Sequence, residues 1–337
     1  MSKPTIAMTM GDPAGIGPEI SLLTAVSREV NERVNTFIIG DKGRLEEALA
    51  VLKRAGKVTN EPHIRSIASV AQAKFEPGIV NVMDLGNVPK SLPWGELSAT
   101  AGQCAFDYIE RAVKLAVDHT IDAICTAPLN KEAWKMAGIK YPGHTEALAA
   151  LSGSPSSAMM LVNKGLRVVH VTTHVSLKQA IEMATKDRIL GRIRLTAESL
   201  LRYGVQNPRI AVAGLNPHAG ESGLFGDEEE KEIIPAIQQA QSEGFAVTGP
   251  LPPDSVYSRA ANGQFDAVIA MYHDQGHIAI KMLGFDTGIN VTLGLPILRT
   301  SVDHGTAFDI AGKGIAREQS MIESILVAAD FLKGTNH

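Results

Sequence analysis

The sequence predicts an α/β fold of mostly parallel sheets flanked by helices. Three observations carry that expectation. Short apolar runs such as PTIAMTM, IDAICTAP and FDAVIAMYHD read as buried strands. Each is followed by a polar loop and then by a stretch of helical periodicity. No heptad run, low-complexity segment or short repeat breaks the alternation. The chain has 337 residues. A single core stops growing near roughly 250–300 residues, so two domains or one large unit follow.

The elements run in order. PTIAMTM is the first strand, and GDPAGIGPE turns the chain. Ile20, Leu22, Leu23, Val26, Val30 and Val34 then recur at helical spacing. TFIIG is the second strand, and LEEALAVLKRAG is an amphipathic helix that stops at Gly56. The stretch from Asn60 to Ser98 is irregular and proline-containing, and reads as an antiparallel excursion or an arm. Thr100 to Asp118 is a long helix, and IDAICTAP is the strand after it. LRVVHVTTH, RIAVAGLNPH and FDAVIAMYHD are later strands. Between the first two, Leu190, Ile193, Ala197, Leu200 and Leu201 line one helix face that ends at Gly204. DEEEKEIIPAIQQAQSEG has an acidic first turn suited to a helix N-terminus. Its Pro235 either kinks the helix or marks its true start. A last helix covers Gln319 to Leu332.

Composition excludes several classes. Lys and Arg total 32 against 36 Asp and Glu, a net charge of −4, which argues against a nucleic-acid binder. Hydrophobic residues at 45% supply a core and exclude a disordered chain. Cys104 and Cys125 lie in apolar stretches and read as buried, reduced thiols. No apolar run approaches the ~18 residues of a membrane span, and MSKPTIAMTMGDPAG lacks the apolar core of a secretory signal. The expected compartment is the cytoplasm.

In open α/β sheets, ligands bind beyond the carboxyl ends of the strands. VVHVTTH ends at His174, AVAGLNPH at His218 and AVIAMYH at His273. Three imidazoles from three strand ends suit a divalent metal with open positions. No local spacing links them, and a histidine after a strand is often only a hydrogen-bonding loop residue. His170 reads as a core group. His277 stands one helical turn after His273 in HDQGHIAIK, and its role stays open. Lys131, His144, Thr145, Lys281, Asn290 and Arg299 lie in the predicted loops, and such donors suit a phosphate or carboxylate.

Two glycine segments remain. GDPAGIGPEI is neither G-x-G-x-x-G nor a Walker A loop, but it turns onto a helix N-terminus that accepts an anion. SVDHGTAFDIAGKGIA reads as a close-approach loop, with His304, Gly305, Thr306 and Asp309 as polar or open positions.

Together these segments resemble the GDGIGPE turn and the adenosine-side NAD loop of isocitrate and isopropylmalate dehydrogenases. From Thr5 to about Ala329 the chain resembles the 4-hydroxythreonine-4-phosphate dehydrogenase family, which shares that two-domain fold with its active site in the cleft. GDPAGIGPE, TAPLNKEA, YPGHTE, VTTH, GLNPHAGE, GPLPPDS, AMYHDQGH, INVTLGLP and RTSVDHGTA match in one order. A sister branch acting on the 4-phosphates of D-threonate and D-erythronate is at least as close. Asp12 stands where some biosynthetic members have Glu.

The resemblance implies residue roles. His174, His218 and His273 would hold one divalent ion (Zn, Mg, Co or Mn). His144, Thr145, Lys281, Asn290 and Arg299 would contact substrate, and Lys131 or Asp254 would be the base. The loop with His304, Gly305, Thr306 and Asp309 would face NAD, and the lack of a basic residue before Lys313 favours NAD over NADP. Residues 1–128 with 284–337 would form the NAD-side domain, and 129–283 the metal-binding and dimerisation domain. A homodimer would share its active sites between subunits. The implied reaction oxidises the 3-hydroxyl of a small 4-phosphorylated hydroxy acid, with loss of carbon dioxide. The substituent at C2, amino or hydroxyl, is left open. A non-catalytic metal- or phosphate-binding protein on the same fold is the competing reading, and it would reduce no NAD.

Overall fold

The computed structural model describes residues 3–284 and 288–334. Residues up to Pro155 alternate as β1 (Thr5–Thr9), α1 (Gly17–Ala25), α2 (Arg28–Arg33), β2 (Asn35–Gly40), α3 (Lys42–Arg54), β3 (His63–Ile67), β4 (Ile79–Asp84), α4 (Ala99–Val117), β5 (Ala123–Thr126), α5 (Lys131–Met136) and α6 (His144–Leu151). The chain continues through β6 (Ala158–Asn163), β7 (Leu166–His170), α7 (Leu177–Met183), α8 (Lys186–Arg202), β8 (Ile210–Ala213), α9 (Ile234–Ser242), β9 (Val247–Leu251), α10 (Pro253–Ala261), β10 (Ala267–Ala270), α11 (His273–Leu283) and β11 (Ile289–Leu293). It closes with β12 (Leu298–Val302) and α12 (Gln319–Gly334).

Two compact units result. The first comprises residues 1–155 and 295–332, and the second 156–294 with the chain end from Lys333. The sequence put the divisions at 128 and 283. Residues 131–151 instead belong with the first unit, because α5 and α6 pack on α4.

In the first unit the strand order is β3-β4-β2-β1-β5-β12, and the pairs are parallel. Strands β1, β2 and β5 are buried almost throughout, as sheets covered on both faces require. The irregular stretch from Asn60 to Ser98 holds β3 and β4, which run parallel to β2. The antiparallel excursion expected there is absent among the described residues. In β3, the alternation of exposed and buried residues hides the strand from a search for apolar runs.

In the second unit the order is β11-β6-β7-β10-β8-β9. Here β6 pairs antiparallel with both β7 and β11, and β7, β10, β8 and β9 are parallel. Leu161, Val168, Ala211, Val256, Phe265, Val268 and Ile280 form a buried cluster. The acidic run begins as a π-helical turn, Glu229–Ile233, and α9 follows with Pro235 in its first turn. Pro235 therefore marks the start of the α-helix proper, where its missing N–H costs nothing.

No helix among the described residues is long and apolar enough to cross a membrane.

Candidate active site

In the first unit, the carboxyl ends of β1, β5 and β12 gather three loops. Gly11 opens the turn after β1 at φ +71°, and a Cβ there would lie 2.4 Å from the Pro128 carbonyl oxygen. Only glycine fits so close an approach. Asp12 caps the turn, its Oδ1 accepting from the Ala14 N–H at 2.8 Å. Its Oδ2 is buried with no partner. Burial pushes this carboxyl up to about 6, against the opposing pull of the Ala14 N–H and the Arg44 charge.

The C-terminal glycine loop is fastened to that turn. The Ile16 N–H donates to the Thr306 carbonyl at 3.0 Å. Glu19 of α1 is buried, and its carboxylate accepts from the Gly312 N–H at 3.0 Å and the Gly314 N–H at 2.7 Å. Thr306 is buried, while His304, Gly305 and Asp309 are exposed. The His304 Nδ1 lies 3.0 Å from the Gly305 carbonyl. This loop and turn would suit a dinucleotide: they offer open backbone at Gly305 and no lysine or arginine from His304 to Gly312.

A second group in the same unit brings Lys131, His144 and Arg299 together. Lys131 is the first residue of α5, a helix capped by Asn130, whose side chain accepts from the N–H groups of Glu132 and Ala133. Arg299 does not sit in a loop, as its sequence context suggested. It lies inside β12 at 2% exposure, and its Nη2 donates to Thr126 Oγ1 at 2.6 Å. Burial lowers its pKa to about 10, so it remains a cation. His144, at the start of α6, is held well below the usual histidine range by burial first, then by the charges of Arg299 and Lys131. It is therefore neutral near pH 7. Its Nε2 is buried with no hydrogen-bond partner. Two cations beside a neutral imidazole with an unpartnered nitrogen fit an anionic ligand. Thr145 is the next residue of α6, half-buried.

In the second unit the histidines sit just beyond the strands. Strand β7 ends at His170, and His174 lies in the loop after it. His218 follows β8 in a short 3-10 turn, and His273 opens α11 after β10. The rings of His174 and His273 are 5.7 Å apart. Two imidazoles on one ion with Zn–N of about 2.1 Å would have centroids roughly 5–6 Å apart, a separation compatible with this pair. His218 instead has the Phe225 ring at 6.5 Å. Among the described residues of one chain, no three His, Cys, Asp or Glu side chains are arranged to hold an ion. The donor chemistry of these imidazoles fits a divalent metal.

His277 stacks on His273 at 3.6 Å, and its Nδ1 lies 3.2 Å from His170 Nε2 and 3.1 Å from the His273 carbonyl. His273 Nδ1 is 2.7 Å from Asp274 Oδ1. Asp254 is exposed in the first turn of α10. Lys281 is in the last turn of α11, and Asn290 is on β11 with its Oδ1 buried and unpartnered. Both lie in regular elements rather than in the loops that their sequence contexts suggest.

Two residues escaped that reading. Glu19 looked like an ordinary acidic residue of a first turn. Glu229 belongs to the acidic run expected to open a helix, yet it is buried. Its Oε1 accepts from the N–H groups of Leu215 and Asn216 at 2.7 and 2.8 Å, and its Oε2 from Asn216 Nδ2 at 2.9 Å, which holds the loop leading to His218. The signal was the proline six residues later, which makes the acidic segment a non-α turn.

A family profile described as pyridoxal phosphate biosynthetic protein PdxA matches residues 32–328. D-threonate 4-phosphate dehydrogenase of Cupriavidus necator is 50% identical over 329 residues, covering 97% of each chain. D-threonate 4-phosphate dehydrogenase of Salmonella typhimurium is 48% identical, covering 97% of this chain and 99% of that one. The crystal structure of a 4-hydroxythreonine-4-phosphate dehydrogenase from Burkholderia phymatum superposes with a TM-score of 0.89 at 48% identity, over 98% of this chain and 99% of that one.

Proposed function

The chain belongs to the pyridoxal phosphate biosynthetic protein PdxA family and is a dehydrogenase of phosphorylated hydroxy acids, and on that footing we propose that it oxidises the 3-hydroxyl of D-threonate 4-phosphate with NAD. The observation that carries this reading is similarity over nearly full length to two D-threonate 4-phosphate dehydrogenases. The cluster of Lys131, His144 and Arg299 supports an anionic substrate. The 2-amino analogue, 4-hydroxythreonine 4-phosphate, is the second reading, favoured by the Burkholderia phymatum structure.

In this reading the first unit is the NAD side, and the second is the metal-binding and dimerisation side. Arg299, Lys131, His144 and Thr145 contact the charged substrate, with Lys281 and Asn290. Neutral His144 offers a hydrogen bond at Nε2 without adding charge. Asp254, or Lys131 in its neutral form, takes the hydroxyl proton as the carbon gives up hydride. NAD supplies the two-electron acceptor. A divalent ion held by His174, His218 and His273 would supply Lewis acidity at the reacting oxygen. The product is a β-keto acid that loses carbon dioxide, giving dihydroxyacetone phosphate from the 2-hydroxy substrate and an amino-ketone phosphate from the 2-amino one. The metal set is completed in a homodimer with shared sites. Exposed apolar Leu224, Phe225, Ile278 and Met282 of the second unit support a partner surface. Two free, buried cysteines suit a reducing cytoplasm.

The test pairs substrates with variants. Wild type should turn over threonate 4-phosphate faster than the 2-amino analogue, and failure with both would overturn the reading. Arg299→Lys keeps the charge but loses the planar fork, and should cost on the order of 10–100-fold in kcat/KM. The same change should cost much less with the unphosphorylated acid. Equal losses with both substrates would show that Arg299 does not read the phosphate.

A further inference from the structure

Arg44 lies in the first turn of α3, where the helix dipole disfavours a cation, and it is buried. Its donors are nonetheless occupied. Nε donates to the Pro13 carbonyl at 2.6 Å, and Nη1 to Glu47 Oε2 at 2.7 Å and the Leu92 carbonyl at 3.2 Å. Nη2 reaches the Pro93 carbonyl at 3.5 Å, the outer limit of such a bond. The guanidinium carbon lies 3.5 Å from the centre of the Trp94 ring. One side chain thus ties the turn after β1 to the segment Leu92–Trp94.

That segment braces the C-terminal loop. The Gly95 N–H donates to the Ala14 carbonyl at 2.7 Å. Gly312 packs so tightly on Trp94 that an added Cβ would lie 2.7 Å from the ring. The same cation acts on the carboxylates of Asp12 and Glu19, which cap the turn and hold the Gly312 and Gly314 N–H groups. Arg44 thus acts on two supports of the loop, Trp94 by contact and Glu19 by charge, without reaching the loop itself.

We propose that Arg44 is a positioning residue for dinucleotide binding, fixing the Pro13 turn and Trp94 as the bed on which the loop 304–314 rests. The inference rests on the assignment of that loop to NAD. It has a chemical corollary: a lysine, with one compact ammonium, cannot bridge Pro13, Leu92 and the Trp94 face together.

The experiment uses the full-length enzyme. NADH affinity is measured by protein fluorescence, and KM and kcat separately for NAD and for threonate 4-phosphate. Wild type is measured first, and if it binds no dinucleotide the NAD assignment itself falls. Given wild-type binding, Arg44→Lys should raise the NADH Kd and the KM for NAD by about 10-fold. At saturating NAD its kcat should stay within about 3-fold of wild type, and the KM for the phosphorylated acid should stay unchanged. Trp94→Phe, which keeps the charge in place and shrinks the bed, should raise the NAD KM by about 3-fold. A folded Arg44→Lys with unchanged NAD KM overturns the proposal, as does an equal change in both KM values. If Arg44→Lys does not fold, Trp94→Phe decides by the same split.

Discussion

The loops of the first unit and the loop that carries His218 solve the same problem in opposite ways. Around residues 11–16 and 304–314, buried side chains reach back to the backbone: Asp12 to Ala14, Glu19 to Gly312 and Gly314, and Arg44 to Pro13 and Leu92. Among the non-glycine residues of those two segments, only Ala307 is left-handed, at φ +44°. After β8 the pattern reverses. His218, Ala219, Glu221 and Ser222 all have φ between +43° and +57°, and Leu224 and Phe225 beside them are exposed. Such residues cost about 1 kcal/mol each and persist only where the surroundings enforce them. Glu229 anchors the base of that loop, but its tip is strained and bare. One region is finished within a single chain. The other carries left-handed backbone at four non-glycine residues and exposed apolar side chains beside them.

The largest expected effect tests the unfinished region. His174→Ala, His218→Ala and His273→Ala should each lower kcat by on the order of 1,000-fold and remove bound metal, with circular dichroism unchanged. Stoichiometric metal retained in all three single variants would break the comparison. The next effect sharpens the finished region. Asp12, with its carboxyl raised from 3.8 to about 6, favours folding while protonated, and that contribution is lost as pH rises through 6. Asp12→Asn stays neutral and keeps the acceptor for Ala14. Relative to wild type it should therefore gain about 2 kcal/mol between pH 4 and pH 7, read by urea unfolding. A difference that does not vary with pH would show that the Asp12 carboxyl is not buried as described. The smallest effect concerns strain alone. Glu221→Gly, at an exposed left-handed position, should stabilise the protein by about 1 kcal/mol. Destabilisation would mean that the left-handed run is held by contacts of Glu221 rather than against its preference.

Much of this was legible in the sequence, for reasons that differ by residue. PTIAMTM, TFIIG and IDAICTAP are nearly continuous apolar runs because their strands are covered on both faces, so β1, β2 and β5 were found. Strand β3 alternates, β6 (AMMLVN) follows a serine-rich stretch, and β12 carries Arg299 as its second residue, so all three were hidden. The histidines were visible because strand-end placement is a topological property. Whether three imidazoles meet is a property of loop conformation and of the assembly, and neither has a local sequence signal. Arg44, Glu19 and Glu229 are hard to read for one common reason: a charged residue in the first turn of a helix is ordinarily solvated, and packing decides that these three are buried.

The chain leaves the first unit at Pro155 and re-enters it at Leu295. This has a consequence for synthesis on the ribosome. The second unit is almost contiguous and can collapse as soon as residues 156–294 have emerged. The first unit cannot: β5 has no β12 beside it, and Glu19 has no Gly312 to hold, until nearly the whole polypeptide is made. Until then β5 is an open edge, exposed to wrong pairing. A product truncated before β12 therefore lacks the loop 304–314 and leaves one edge of β5 open beside its pairing with β1.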